Sequence, residues 1–298
     1  MPGYRCAPVC QMTAPACIED RQEKRGGKGA MGMAGRCLLI DRDGPVATVT
    51  LNVPERLNVL SEEMLGALQS ALDDLGGDPA VRCVVLGAAG SIFCAGHDLR
   101  EMTEGRQAAD GGKAYFADIF ARCARMMMTI QAIPKPVIAR VQGAAVAAGC
   151  QLVASCDMAV VARGGRFGVN GVNIGLFCST PMVALTRSVG QKHAFEMLTT
   201  GRIVEAEEAE SMGLVNEVVE QEMLDQRVSE LAGVVASKLS TAVTTGKQAF
   251  YQQAGMSLEE AYRFTGDVMV RNMLNHDTEE GISAFLEKRP PAWADQRL

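Results

Sequence analysis

The chain has 298 residues, 48% of them hydrophobic and 21% charged, and a formal net charge of −6. That balance supports a folded core and excludes a disordered chain. The negative charge argues against a nucleic-acid partner, and no apolar run approaches the roughly 18 residues of a membrane span.

Residues 1–36 carry Cys6, Cys10, Cys17 and a charged run from Glu19 to Lys28, without periodicity. They read as a disordered extension, or as translation counted from too early a start, with Met31 and Met33 as alternatives. There is no apolar h-region, so a secretory signal is not expected. Arg21, Lys24, Arg25 and Lys28 suit an organelle transit peptide, but Glu19, Asp20 and Glu23 do not. The cytoplasm is the expected location, with the mitochondrial matrix as the alternative. None of the ten cysteines forms a C-x-x-C pair. Buried free thiols are therefore expected and a zinc site is not.

Ordered patterning begins at Cys37. Leu38–Ile40 and Val46–Leu51 read as two strands joined at Asp43-Gly44. Ser61 caps a helix with Met64, Leu65, Leu68, Leu72 and Leu75 at helical spacing, ended by Gly76-Gly77-Asp78-Pro79. Then follow a strand at Val81–Leu86, a helix over about 111–131 and a strand at Val137–Val141. A small-residue helix over about 144–155 and a strand at Met158–Ala162 complete the alternating part. Such alternation implies an α/β fold with a largely parallel sheet. Past Leu176 the pattern is mostly helical, with Leu214–Val219 as the last strand. An amphipathic helix follows through Leu224, Val228 and Leu231, and a final helix starts near Asp277 and stops before Pro290-Pro291. The division expected is a core over 37–220 and a helical oligomerisation region over 221–298.

Two segments stand out, 93–99 (FCAGHDL) and 143–152 (GAAVAAGCQL). Each has small residues where the chain enters a helix, so a ligand can approach backbone N–H groups that lack internal partners. Two such groups aimed at one point make an oxyanion hole. Composition alone supports tight helix packing at least as well.

These segments resemble the G-(A/H)-D-L and N/Q-G-x-(A/V)-x-x-G-(C/G)-x-L patterns of the crotonase (enoyl-CoA hydratase/isomerase) superfamily. Residues 54–60 (PERLNVL) and 280–289 (EGISAFLEKR) extend the likeness over about 37–298. The resemblance implies a spiral of repeated ββα units with a C-terminal helical region, an acyl-CoA thioester as ligand and no separate cofactor. It implies oxyanion donors at the N–H groups of His97 and Ala148. It also implies CoA contacts around Arg56, Leu57, Ala95, Gly96, Asp98, Leu99 and Arg100, with Arg56 and Arg100 as phosphate candidates. Phe285 and Lys288 match positions that reach the CoA of a neighbouring subunit, in a homotrimer or a dimer of trimers.

The departures matter equally. The two acid/base glutamates of the family's hydratases correspond here to Gln151 and Gly171. A glutamine amide does not titrate near neutral pH and cannot serve as general acid or base, and losing an acid/base group removes roughly 10²–10⁴ in rate. Weak or absent hydratase turnover is therefore expected. The alternatives are a non-catalytic acyl-CoA-binding or regulatory protein, or another acyl-CoA reaction such as decarboxylation or thioester hydrolysis. His97 is the one histidine placed to act chemically, against a purely backbone role; His193 reads as helix surface and His276 as loop. Cys178 and Asn173 lie near the second vacated position, as a buried thiol and a turn amide. Ser91, Ser155 and Ser179 lack a G-x-S-x-G setting, so a serine hydrolase is not expected.

Overall fold

The chain alternates between two sheets, and that alternation places the site. The computed structural model describes residues 37–293. The extension expected over 1–36, with Cys6, Cys10 and Cys17, lies outside them.

Strands β1 (Leu38–Asp43) and β2 (Val46–Leu51) form an antiparallel hairpin, in register from Leu38 opposite Leu51 to Asp43 opposite Val46. Helix α1 (Glu62–Gly77) follows. The Ser61 side chain accepts from the Met64 amide at 3.1 Å, as its place before the apolar run dictates. Strands β3 (Cys83–Ala88) and β4 (Ile92–Cys94) then lead into α2 (Leu99–Gly105) and α3 (Lys113–Ala132). The unit repeats as β5 (Val137–Val141), β6 (Ala144–Val146) and α4 (Ala148–Ser155). It repeats again as β7 (Met158–Ala162), β8 (Arg166–Gly168) and a pair of helices, α5 (Ser179–Ser188) and α6 (Gln191–Thr200). Strand β9 (Ile203–Glu205), α7 (Ala206–Met212) and β10 (Glu217–Val219) close the spiral.

Strands β1, β2, β3, β5 and β7 and the short β10 form one sheet in the order β1-β2-β3-β5-β7-β10, and the three-residue strands β4, β6, β8 and β9 form a second in that order. Apart from the β1–β2 and β8–β9 pairs, neighbours run parallel. Parallel strands are covered on both faces, and β3 is buried at every position, hence its unbroken apolar run. From β3 to α6 each turn of the chain adds one strand to each sheet and then a helix, which is the ββα spiral the resemblance implies.

Three short strands, β4, β8 and β9, escape sequence patterning, and one prediction is corrected. Residues 144–146, expected as the start of a helix, pair as β6 between β4 and β8. Alanine favours helix, but ladder bonds from both neighbours outweigh that weak preference. The expected strand Val81–Leu86 is displaced to Cys83–Ala88, and Leu214–Val219 narrows to Glu217–Val219.

Helix α8 (Leu224–Ala236) lays Leu224, Val228, Ala232 and Ala236 on Val85, Ile138 and Val160 of the first sheet. Helix α9 (Ser240–Gln253) is held by polar contacts instead. Buried Lys247 donates from Nζ to the carbonyls of Ile130 (2.7 Å) and Lys135 (2.8 Å) and to Asp157 Oδ2 (2.7 Å). Tyr251 donates to the other Asp157 oxygen at 2.8 Å. Helices α10 (Leu258–Met273) and α11 (His276–Leu286) follow; His276, expected in a loop, is the first residue of α11. No helix among the described residues is long and apolar enough to cross a membrane.

Candidate functional site

Strands β4 and β6 are parallel neighbours, so the chain leaves both at the same end of the second sheet. His97 lies just past the first exit and Ala148 just past the second. The two exits touch. Gly96, at φ +91°, faces the turn at 146–148; a Cβ there would lie 3.0 Å from Ala147 Cβ and 3.2 Å from the Ala148 nitrogen. A Cβ on Gly149 would overlap the Cys94 carbonyl oxygen. These glycines are required for close approach of the two backbones.

The amides of His97 and Ala148 donate to nothing among the described residues. Ala147 sits at φ 50°, ψ −120°, a conformation that costs an L-residue on the order of 1–3 kcal/mol. Its own N–H bonds to the Gly168 carbonyl at 2.8 Å, while the Ala148 N–H is left outside both strand and helix. Helix α4 has no side-chain cap, so its first turn presents unpartnered N–H groups and positive potential.

The 53–60 loop holds the first exit in place. Ala95 N donates to the Leu57 carbonyl at 3.1 Å, and Leu60 N donates to the Gly96 carbonyl at 2.8 Å. Asn58, wholly buried at 0% exposure, bonds the Val53 amide and the carbonyls of Ala89 and Ile92 at 2.8–2.9 Å. Sequence reasoning gave Asn58 no role. Its only signal was a polar residue inside the PERLNVL segment.

Arg56 pairs with buried Asp98, whose carboxylate also caps α2 through the amides of Arg100 (2.9 Å) and Glu101 (3.4 Å). Arg56 therefore reaches a phosphate only while sharing its guanidinium. Arg100 is exposed and its guanidinium makes no hydrogen bond or ion pair among the described residues; Leu57 and Leu99 are exposed as well. Phe285 is 82% exposed on α11, which packs on α10, and Lys288 follows it.

The His97 ring meets Phe120 of α3 edge-on at 5.6 Å, and both its nitrogens are buried and unbonded. Burial holds its pKa below the ordinary 6.5. The nearby Leu60 carbonyl offsets this in part, without hydrogen-bond geometry. Gln151, 4% exposed on the first turn of α4, leaves Oε1 unbonded. At Gly171 there is no room for a side chain. A Cβ would overlap the Leu176 carbonyl and press on Cys178 Sγ at 2.8 Å. Cys178 is a buried thiol and Asn173 bonds the Gly201 carbonyl at 3.3 Å, both as the sequence suggests. Burial pushes the Cys150 thiol beside Gln151 up to about 12, so it is not a nucleophile at neutral pH. No cluster of potential metal ligands occurs among the described residues.

A cavity of about 760 Å³ lies elsewhere, between β2, β3 and α8, lined in part by Thr48, Thr50, Gly87, Val228 and Ser229. Its size suits a ligand. None of the candidate residues lines it, and the Arg140 guanidinium at its wall is already paired with Asp225. The free amides, not the volume, mark the chemistry.

Fold and site together define a crotonase-type protein. Residues 41–296 match the enoyl-CoA hydratase/isomerase family, and the chain belongs to that family. It is similar to the Xenopus laevis "Enoyl-CoA hydratase domain-containing protein 3, mitochondrial", 42% identical over 86% of this chain and 85% of the relative. The Homo sapiens protein of that name is 40% identical over 98% and 93%. Among solved structures, an enoyl-CoA hydratase from Mycobacterium smegmatis is 51% identical with a TM-score of 0.83, over 86% of this chain and 98% of that one. The human domain-containing protein 3 structure is 41% identical, also at TM-score 0.83, over 87% and 100%.

Proposed function

We propose that the chain binds an acyl-CoA thioester by its carbonyl oxygen, with the N–H groups of His97 and Ala148 as the two donors. One observation carries this reading: two unpartnered amides at adjoining exits of parallel neighbouring strands. A polarised thioester carbonyl stabilises the enolate that acyl-CoA chemistry passes through, and one such donor contributes about 2.7–4 kcal/mol. Arg100, Leu57 and Leu99 supply the exposed flank for CoA, with Arg56 steadied by Asp98.

Hydratase turnover is weak or absent on this reading. Gln151 has no group that titrates near neutral pH to serve as general acid or base, and the space for a second carboxylate at Gly171 is filled by Leu176 and Cys178. The rescue that the sequence suggests, Gln151→Glu with Gly171→Glu, is opposed by that filling unless the 171–178 turn moves. The same filling favours a second reading, an acyl-CoA-binding protein without turnover. The apolar residues on α10 support assembly with further copies, a trimer or a dimer of trimers. The mitochondrial naming of the relatives supports the matrix alternative rather than the cytoplasmic expectation.

The test has two steps. Butyryl-CoA should raise the melting temperature of the full chain, and crotonyl-CoA should lose its conjugated absorbance slowly or not at all. Unchanged melting with every acyl-CoA would refute the binding reading. Hydration at ordinary hydratase rates would refute the assignment of Gln151 and Gly171. Light scattering should give a trimeric or hexameric mass, and a monomer overturns the assembly.

A further inference from the structure

The amide pair depends on the register of two short strands. Along β6 the pairing advances one residue, from Ala144 to Ala145, while along β4 it advances two, from Ile92 to Cys94. Phe93 is the extra residue of a β-bulge, a device that re-aims the end of a strand. Counted forward with that shift, Gly96 falls abreast of Ala147 and His97 abreast of Ala148. The packing agrees, since a Cβ on Gly96 would lie 3.0 Å from Ala147 Cβ. In an unbroken register His97 would fall abreast of Gly149 instead, and a one-residue slip turns each residue to the opposite side. The bulge therefore decides whether the two amides can share one acceptor.

A bulge disrupts its local ladder, so other bonds must hold it. Two side-chain amides converge on the carbonyl where this one begins. Asn58 Nδ2 donates to the Ile92 carbonyl at 2.8 Å, and Gln142 Nε2 donates to it at 3.3 Å. The second Nδ2 hydrogen of Asn58 goes to the Ala89 carbonyl, and its Oδ1 accepts from the Val53 amide, both at 2.9 Å. Asn58 thus has no donor left for a ligand and acts through β4. Its loop also grips the other end of that strand, where Leu57 accepts from Ala95 and Leu60 donates to Gly96. Leu57 and Asn58 are both left-handed, at φ 56° and 49°, a region that asparagine visits readily and leucine does not. Such a conformation persists only where the surroundings dictate it. We propose, on the thioester reading above, that Asn58, seconded by Gln142, is a positioning residue. It fixes the Phe93 bulge and so sets the His97 amide level with that of Ala148.

Infrared spectroscopy of butyryl-CoA isotope-labelled at the thioester carbonyl tests this on the full chain. Hydrogen bonds from two amides should lower the stretching frequency of the bound carbonyl relative to free butyryl-CoA. Asn58→Ser should lose most of that downshift at saturating ligand, yet bind CoA alone as tightly as the parent. Gln142→Ala removes the longer of the two bonds on Ile92 and should lose less. Asn216→Ala removes a like asparagine clamp, on the Ala159 amide of β7 at 2.8 Å, and should keep the whole downshift. A full downshift in folded Asn58→Ser overturns the positioning role while the thioester reading stands. So does an equal loss in Asn216→Ala, which would make the effect one of general stability. If Asn58→Ser does not fold, Gln142→Ala decides, and an unchanged stretch there overturns the role. If the parent binds no acyl-CoA or shows no downshift, both fall.

Discussion

Helices α4 and α10 show how differently one chain can use a helix. All eight residues of α4 are buried, between β4, β6 and α5. None of the sixteen residues of α10 is buried, yet Leu258, Tyr262, Met269 and Met273 share one face and are 76%, 73%, 59% and 54% exposed. Apolar residues at i, i+4, i+11 and i+15 make a stripe that ordinarily faces a core. The spiral core therefore completes itself within a single copy, and with it the amide pair. The C-terminal helices carry a face that this copy does not cover. Their tie to the core is polar, through Lys247 and Tyr251 on Asp157.

The contrast is broken most forcefully at Gly149. An alanine there drives its Cβ into the Cys94 carbonyl, and backbone cannot yield as a side-chain tip does. Gly149→Ala should lose about 3 kcal/mol or more in denaturant unfolding, and should abolish the thermal shift with butyryl-CoA because it separates the 97 and 148 exits. A variant as stable as the parent would show that α4 is not the closed element described. The next effect is similar in size but lies at the tie. Lys247→Met leaves the Asp157 carboxylate buried without its cation and two carbonyls without a donor, at a cost of about 3–5 kcal/mol. Proteolysis should then cut first within 239–286, and uniform cleavage would deny that α9 is the anchor.

Much of the closed half is legible in the sequence and little of the site's closure is. Val137–Val141 and Met158–Ala162 are predicted to the residue, because both-face burial writes an unbroken apolar run. The strands of the second sheet escape because their identity lies in neighbours remote in the chain: Ala144–Val146 is a strand only because β4 and β8 flank it. The resemblance predicts a missing carboxylate at Gly171. It cannot show that Leu176 and Cys178 have taken the space. Likewise the PERLNVL segment is recognisable, but the three bonds of Asn58 and the Arg56–Asp98 pair are facts of three dimensions.

A smaller effect separates the halves by pH. His97 is half-buried with both ring nitrogens sealed from solvent, whereas His193 and His276 are exposed. Burial lowers the folded pKa of His97 below its unfolded value of 6.5, so the unfolded chain takes up a proton first on acidification. Stability should then fall as pH drops from about 6.5 through the depressed folded value, and level off below it as far as this residue is concerned. His97→Phe should flatten that slope. A slope unchanged in the variant would place the titration elsewhere.

The smallest effect carries the most information about α10. Gly266 lies on the same stripe as Tyr262, Met269 and Met273, and a Cβ added there meets nothing within 4 Å. In a single copy, Gly266→Ala should therefore stabilise by about 0.5–1 kcal/mol, since alanine loses less backbone entropy in a helix. In an assembly whose partner crosses the stripe at this point, the added methyl group occupies contact space, and the sign reverses. Denaturant unfolding of the variant, followed across protein concentration, separates the cases. Stabilisation independent of concentration leaves α10 uncovered at Gly266. Destabilisation that deepens with concentration means a neighbouring chain approaches the helix backbone there, supplying the cover that α4 obtains from its own chain.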